Sequence, residues 1–226
     1  MDNCPSVPLT QSFYDQLLAA TERSRDEFLA IPAIVRGLRG AISRETYTAF
    51  LTQAYHHVKH TVPLLMACGS ALPERLEWLR AAVGEYIEEE LGHQEWILND
   101  IAACGGNAEA VRFGTPHMST EVMVAYAYDT TRRNNPVGFF GMVFVLEGTS
   151  IRLATDAAQA IQGALDLPDK AFSYLRSHGS LDIKHMAQFN RLMDRLDADA
   201  DQHAVVHCAN IFYRLYGDVF RSLPLD

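Results

Sequence analysis

The sequence predicts an all-α fold. Three observations carry this: apolar residues recur at spacings of three and four along most of the chain, no stretch sustains a period-two alternation, and no Asn-Gly hairpin signal interrupts the pattern. Prolines, glycines and cap residues divide the chain into about seven helical segments, the arrangement of a helix bundle.

The first segment runs from about residue 10 to 29 and stops before Pro32. The second starts near Ser43, a suitable N-cap, and continues to about residue 68, before the turn from Gly69 to Pro73. The third spans roughly 73–103, with Pro73 suited to its first turn and Gly105-Gly106 stopping it. Shorter segments follow at about 119–132 and 136–165. A sixth covers about 169–196 with a candidate interruption at Gly179, and the last runs from about 201 to 223.

No repeat, Pro/Gly/Ser-rich linker or composition shift marks a boundary, so residues 1–226 read as one domain. At 48% hydrophobic residues such a chain buries a substantial core. The formal net charge of −9 argues against a nucleic-acid partner, which favours a basic face. No apolar run reaches the roughly 18 residues of a membrane span, and the start, Met1-Asp2-Asn3-Cys4-Pro5, lacks a signal-peptide pattern. Cys4, Cys68, Cys104 and Cys208 are widely spaced with no CxxC pair, which suits reduced thiols in a cytoplasmic protein.

Three segments carry chemistry. In the stretch from His178 to His185, His178, Asp182 and His185 are spaced by four and three, which places them on one helical face. That stripe continues as Phe189, Leu192, Met193 and Leu196, so it points into the core. Two imidazoles and a carboxylate are costly to bury unless compensated, and a metal ion compensates them. A helix end with surface histidines competes with this reading, because Gly179 and Ser180 are poor interior helix residues. Glu147 stands on an otherwise apolar stripe with Phe140, Val143 or Phe144, and Ser150 or Ile151, where a carboxylate requires a cation, a proton or a basic partner. Arg152 lies well around the helix from it. A protonated Glu147 is the alternative. In the third segment Tyr86, Glu89, Glu90 and His93 share a face, while Glu85 and Glu88 turn away. A Glu-x-x-His pair is the unit that carboxylate-bridged di-iron bundles place on each of two helices; a solvated acidic run is the competing explanation. Tyr86 and Glu89 are the candidate catalytic residues beside these ligands, against the plain reading of Tyr86 as a core tyrosine. Oxygen-rich donors with imidazole and no thiolate suit iron or manganese better than structural zinc.

These residues resemble the haem-oxygenase-like di-iron oxidases and oxygenases, which share a seven-helix fold with the TenA-type thiaminases and the pyrroloquinoline-quinone-synthase-like proteins. The resemblance rests on the His-x3-Asp-x2-His order of His178, Asp182 and His185, with Glu147 about thirty residues before it and His93 about fifty-five before Glu147. It implies a two-ion site, iron by preference, held by Glu90, His93, Glu147, His178, Asp182 and His185. Some members carry a ligand Glu where this chain has Tyr86; others use one at the position of Glu90. Members of the second kind also draw a carboxylate from the preceding helix, where His56 and His57 stand here. His57 is therefore a further candidate ligand, with His56 and His60 as its neighbours. A haem oxygenase would carry a histidine on the first helix, and the first histidine here is His56; a TenA thiaminase would carry a cysteine in mid-bundle, and none lies between Gly105 and His207. His203 and His207 are spaced like a metal pair but read as pocket caps or surface residues.

The implied function is a metal- and dioxygen-dependent oxidoreductase acting on a small organic metabolite such as an amino acid, fatty acid or aromatic acid. It would draw on an external reductant, since no flavin or nicotinamide fingerprint is present, and would work as a homodimer. The rivals are a two-metal hydrolase that activates water and a binding protein without a functional metal pair.

Overall fold

Ser12 caps the first helix by accepting a hydrogen bond from the Asp15 amide at 3.2 Å, and helix dominates from there on. The computed structural model describes residues 11–225, apart from the side chains of residues 178–184. In chain order the helices are α1 (Phe13–Ala20), α2 (Glu22–Leu29), α3 (Pro32–Leu38), α4 (Arg44–Val58), α5 (Thr61–Ala71), α6 (Glu77–Glu90), α7 (His93–Ala103), α8 (Ala108–Arg112), α9 (Met118–Arg133), α10 (Phe139–Leu165), α11 (Ser173–Met193) and α12 (Asp199–Arg221). Single 3-10 turns lead into α6, α10 and α11, and there is no strand among the described residues.

Most of the expected segments are present, and three of them are broken once. The first breaks at Thr21, whose buried hydroxyl donates to the Leu17 carbonyl at 2.7 Å, a back-bond that bends helices. The second begins as expected, with Ser43 accepting from the Thr46 amide at 3.1 Å, but divides between Val58 and Thr61. Pro63 explains this break, because a proline ring clashes with the carbonyl four residues back, here that of Lys59. The third divides at Gly92, with φ at +90°. Helices α3 and α8 were not expected: Pro32 opens a new helix besides ending the old one, and Asn107 caps α8 through the Ala110 amide. Helix α11 runs through Gly179 without the interruption its glycine suggested.

Helix α10, about 40 Å long at 1.5 Å per residue, is the axis of the molecule and packs against α11, α12 and α3. At Gly141 its backbone all but touches α12: a Cβ there would lie 2.6 Å from the Ala209 amide nitrogen and 2.7 Å from the Val205 carbonyl oxygen. The stretch Pro136–Leu165 is long and apolar enough to cross a membrane by length and composition alone, which the run-length reading missed; 56% of its most apolar window is buried inside the bundle.

Arg75 ties the turn before α6 to α12. Its guanidinium meets buried Asp201 at 2.6 and 3.1 Å, and Asn135 donates to the same carboxylate at 2.8 Å. Burial alone would raise the Asp201 pKa, but the hydrogen bonds and charge of Arg75, helped by Asn135, outweigh it and hold the carboxyl below its ordinary value of 3.8. The Arg75→Ala variant strands that carboxylate and is expected to lose about 2 kcal/mol at pH 6. Because the folded pKa is lowered, the stabilisation is complete above pH 3.8 and fades as pH falls through the lowered value. Urea unfolding at both ends of that window checks this: the two proteins converge in acid and differ at pH 6.

Candidate metal centre

The apolar stripe that runs along α10 aims Glu147 inward, past buried Phe140, Val143 and Phe144. Glu90, the last residue of α6, and His185, in the second half of α11, point at the same place from two other helices. Each of the three offers one ligand atom, and these atoms all lie within 4.8 Å of one another. Donors 2.0–2.2 Å from a single ion stand at most about 4.4 Å apart, so a movement of a few tenths of an ångström draws this set onto a common cation. Without a cation, two carboxylates share a buried space with one imidazole, an arrangement that desolvation and like charge both oppose.

The ring of His185 is held from two sides. Its Nε2 lies 3.0 Å from the Glu89 carboxylate and its Nδ1 3.6 Å from Glu147 Oε1. Donation of Nε2–H to Glu89 turns Nδ1 toward Glu147, the carboxylate–histidine–metal relay in which an outer carboxylate fixes the tautomer of a ligand. The structure thus places Glu89, half out in solvent, behind His185. Tyr86 packs its ring edge-to-face on the same imidazole, 5.8 Å between centroids.

His93 behaves differently from the expected helical Glu-x-x-His pair. The left-handed residue Gly92 separates the helices that carry Glu90 and His93. His93 starts α7, lies 3.0 Å from Glu90 through Nδ1, and stacks on Trp96 at 4.0 Å. It orients Glu90 and is not among the three residues whose ligand atoms converge. A Cβ at Gly92 meets no neighbour, so substitution strains only the backbone. Gly92→Ala is expected to cost about 1–2 kcal/mol and to weaken metal retention, measured as metal per chain alongside the thermal midpoint.

The rest of the expected set falls into three groups. His57 is buried on α4 and lines the same cavity, edge-to-face with Tyr216 at 5.7 Å, without joining the three converging ligand atoms. His178 and Asp182 lie on α11, two turns and one turn before His185, but their side chains are outside the described residues. Of the flanking histidines, His56 is buried and its pKa is pushed down to about 4 by desolvation and by Lys59 and His60, while His60 pairs with the Tyr128 hydroxyl at 3.1 Å. His203 and His207 are exposed on α12.

One residue that sequence reasoning passed over holds the frame. Asp100 of α7, fully buried, accepts hydrogen bonds from the Ser173 amide at 3.1 Å, the Ser173 hydroxyl and the Tyr174 amide at 2.9 Å, and so caps α11. Burial raises its pKa even though these bonds favour its charge. Its signal was present in the sequence as a carboxylate within the apolar run Ile97, Ile101, Cys104.

The cavity beside the three donors has a volume of about 90 Å³ and is walled mainly by Leu65, Phe139, Met142, Val143 and Leu146. Its two carboxylates and one imidazole are donor types that iron or manganese takes.

A family model described as "iron-containing redox enzyme" matches residues 48–217. Among solved structures the chain is similar to a domain of unknown function with a heme oxygenase-like fold from Shewanella denitrificans, with a TM-score of 0.82 and 24% identity over 94% of this chain and 91% of that one. It is similar to a TenA homolog from Pseudomonas syringae pv. tomato, with a TM-score of 0.79 and 11% identity over 98% of both chains. A heme oxygenase from Leptospira interrogans superposes with a TM-score of 0.76 and 16% identity over 94% of this chain and all of that one. No curated protein matches the chain. At these identities the solved structures establish the fold, which is the heme oxygenase-like, TenA-like bundle that the resemblance implied.

Proposed function

Because the chain belongs to the iron-containing redox enzyme family, we propose that it is a non-haem di-iron oxidase or oxygenase that uses dioxygen on a small organic metabolite. The observation that carries this reading is the convergence of Glu90, Glu147 and His185 from three helices into one buried space. These three are the core of the proposed ligand set. His178 and Asp182 join from the same helix as His185, and His93 and His57 supply further imidazole at its edge. Iron bound there would supply the dioxygen activation that side chains lack, with electrons drawn from an external reductant.

The protein's own groups have separable tasks in this reading. Glu89 holds the Nε2 proton of His185 and keeps that ring pointed inward. His93 donates to Glu90 and fixes its carboxylate. The apolar wall of Phe139, Met142 and Leu146 lowers the local polarity, so charges beside it interact more strongly than at the surface. Tyr86, which packs on His185 and lines the cavity, is the proton donor in this reading.

Anaerobic loading with Fe(II), metal analysis and mixing with oxygenated buffer test the proposal. Close to two irons per chain and an optical change on oxygen exposure are expected. Absence of retained metal, or equal turnover with zinc in the absence of oxygen, would overturn it in favour of a binding protein or a hydrolase.

A further inference from the structure

Helix α10 presents one set of residues to the metal cavity and another, Phe144, Gly148, Ile151 and Arg152, to a different pocket, which α1, α2, α11 and α12 complete. None of Glu90, Glu147 and His185 lines this pocket. Its volume is about 430 Å³, within the roughly 300–1,000 Å³ of small-molecule sites. Tyr213 is buried, Tyr14 and Arg25 are half-buried and Arg152 is exposed, so the pocket runs from the surface into the bundle.

The polar groups of its wall are two guanidiniums and two phenols, and no acidic side chain lines it among the described residues. On α2, Arg23 pairs with Glu27 at 2.9 Å, whereas Arg25 and Arg152 form no ion pair among the described residues. Arg25 is instead held by donating to the Leu18 carbonyl at 3.2 Å. Both arginines act on both tyrosines: burial raises the pKa of the Tyr14 and Tyr213 hydroxyls, and the charges of Arg25 and Arg152 pull each partway back. The four groups therefore share one space. In a chain of net charge −9, this local excess of positive charge does not follow from composition.

We propose that this pocket is a second ligand site, apart from the metal centre, and that it binds a small organic oxyanion between Arg25 and Arg152. Two guanidiniums that face one space repel each other, and an anion between them turns repulsion into attraction. Their planar forks match the oxygens of a carboxylate or a phosphate, and the phenols add hydroxyl donors. Leu18, Phe144, Ile151 and Met186 supply an apolar surface beside these donors, which suits a hydrocarbon body attached to the acid group. The proposal does not depend on metal binding.

Titration calorimetry on the metal-free protein tests it. Phenyl phosphate or benzoate is expected to bind saturably while benzylamine does not, and the tighter of the two anions identifies the acid group. Inorganic phosphate is expected to bind at least tenfold more weakly than phenyl phosphate. Arg152→Met and, separately, Arg25→Met keep an apolar stem and are expected to lower anion affinity at least tenfold. Arg152 is exposed, so its variant should melt at the wild-type temperature. Absence of saturable anion binding, equal binding of benzylamine, or unchanged affinity in both variants overturns the site. Inorganic phosphate binding as tightly as phenyl phosphate overturns the organic body. A tenfold gain in Glu147→Gln, which removes a negative charge from the metal cavity, would place the anion there and overturn the separate location.

Discussion

Glu147→Gln should cost more than about 100-fold in iron affinity, above the loss typical of removing an outer hydrogen-bond partner, and should abolish oxygen-dependent turnover. The substitution is nearly isosteric, so the α10 stripe from Phe140 to Ile151 keeps its packing. What is lost is one of the two carboxylate charges, those of Glu90 and Glu147, that converge with His185. Metal-free stability should move the other way. Removing a carboxylate that shares buried space with Glu90 relieves like-charge repulsion and desolvation, so the metal-free variant should unfold at the same temperature as wild type or higher. A variant that binds iron normally, or that loses stability in the metal-free form, would show that Glu147 serves packing and not coordination. Calorimetric melting and metal analysis on the same samples separate these cases.

Asp100→Ala is expected to have the largest effect on stability, a loss of about 2–3 kcal/mol. It leaves the Ser173 and Tyr174 amides at the start of α11 without their acceptor and removes a helix cap. For a chain of this size the thermal midpoint should fall by about 5–10 °C. Iron retention should fall with it, because α7 carries His93 and α11 carries His185, and Asp100 fixes one helix against the other. Asp100→Asn keeps one acceptor oxygen and should recover part of both. A midpoint unchanged in Asp100→Ala would remove this carboxylate from the frame.

Much of the bundle was legible because its signals are local. The period of the apolar residues marks the helices, and Ser43 marks its own helix start. Glu147 and His185 were legible for the same reason: each interrupts an apolar stripe on a single helix, and direction within a helix follows from spacing. The breaks were harder. A glycine at position 92 inside an acidic helical run is compatible with a continuous helix, and only the positive φ shows that the chain turns there. That turn changes His93 from the partner of Glu90 on one helix to a hydrogen-bond donor at the start of the next. Glu89 was grouped with Glu90 on an inner face, yet it reaches His185 from a half-exposed position, a relation between α6 and α11 that no spacing encodes. An apolar pocket beside α3 was invisible for a stronger reason: its lining comes from residues as far apart as Phe28 and Leu223.

The division of that wall has an evolutionary consequence. The converging donors sit on α6, α10 and α11, whereas the short helix α3 contributes only to the pocket lining, and the close backbone contact at Gly141 leaves α10 and α12 no room to readjust. Helices α10 and α11 carry both donors and pocket wall, whereas α3 carries pocket wall alone. Substitutions near residue 37 could therefore reshape that pocket without displacing any of the three converging donors.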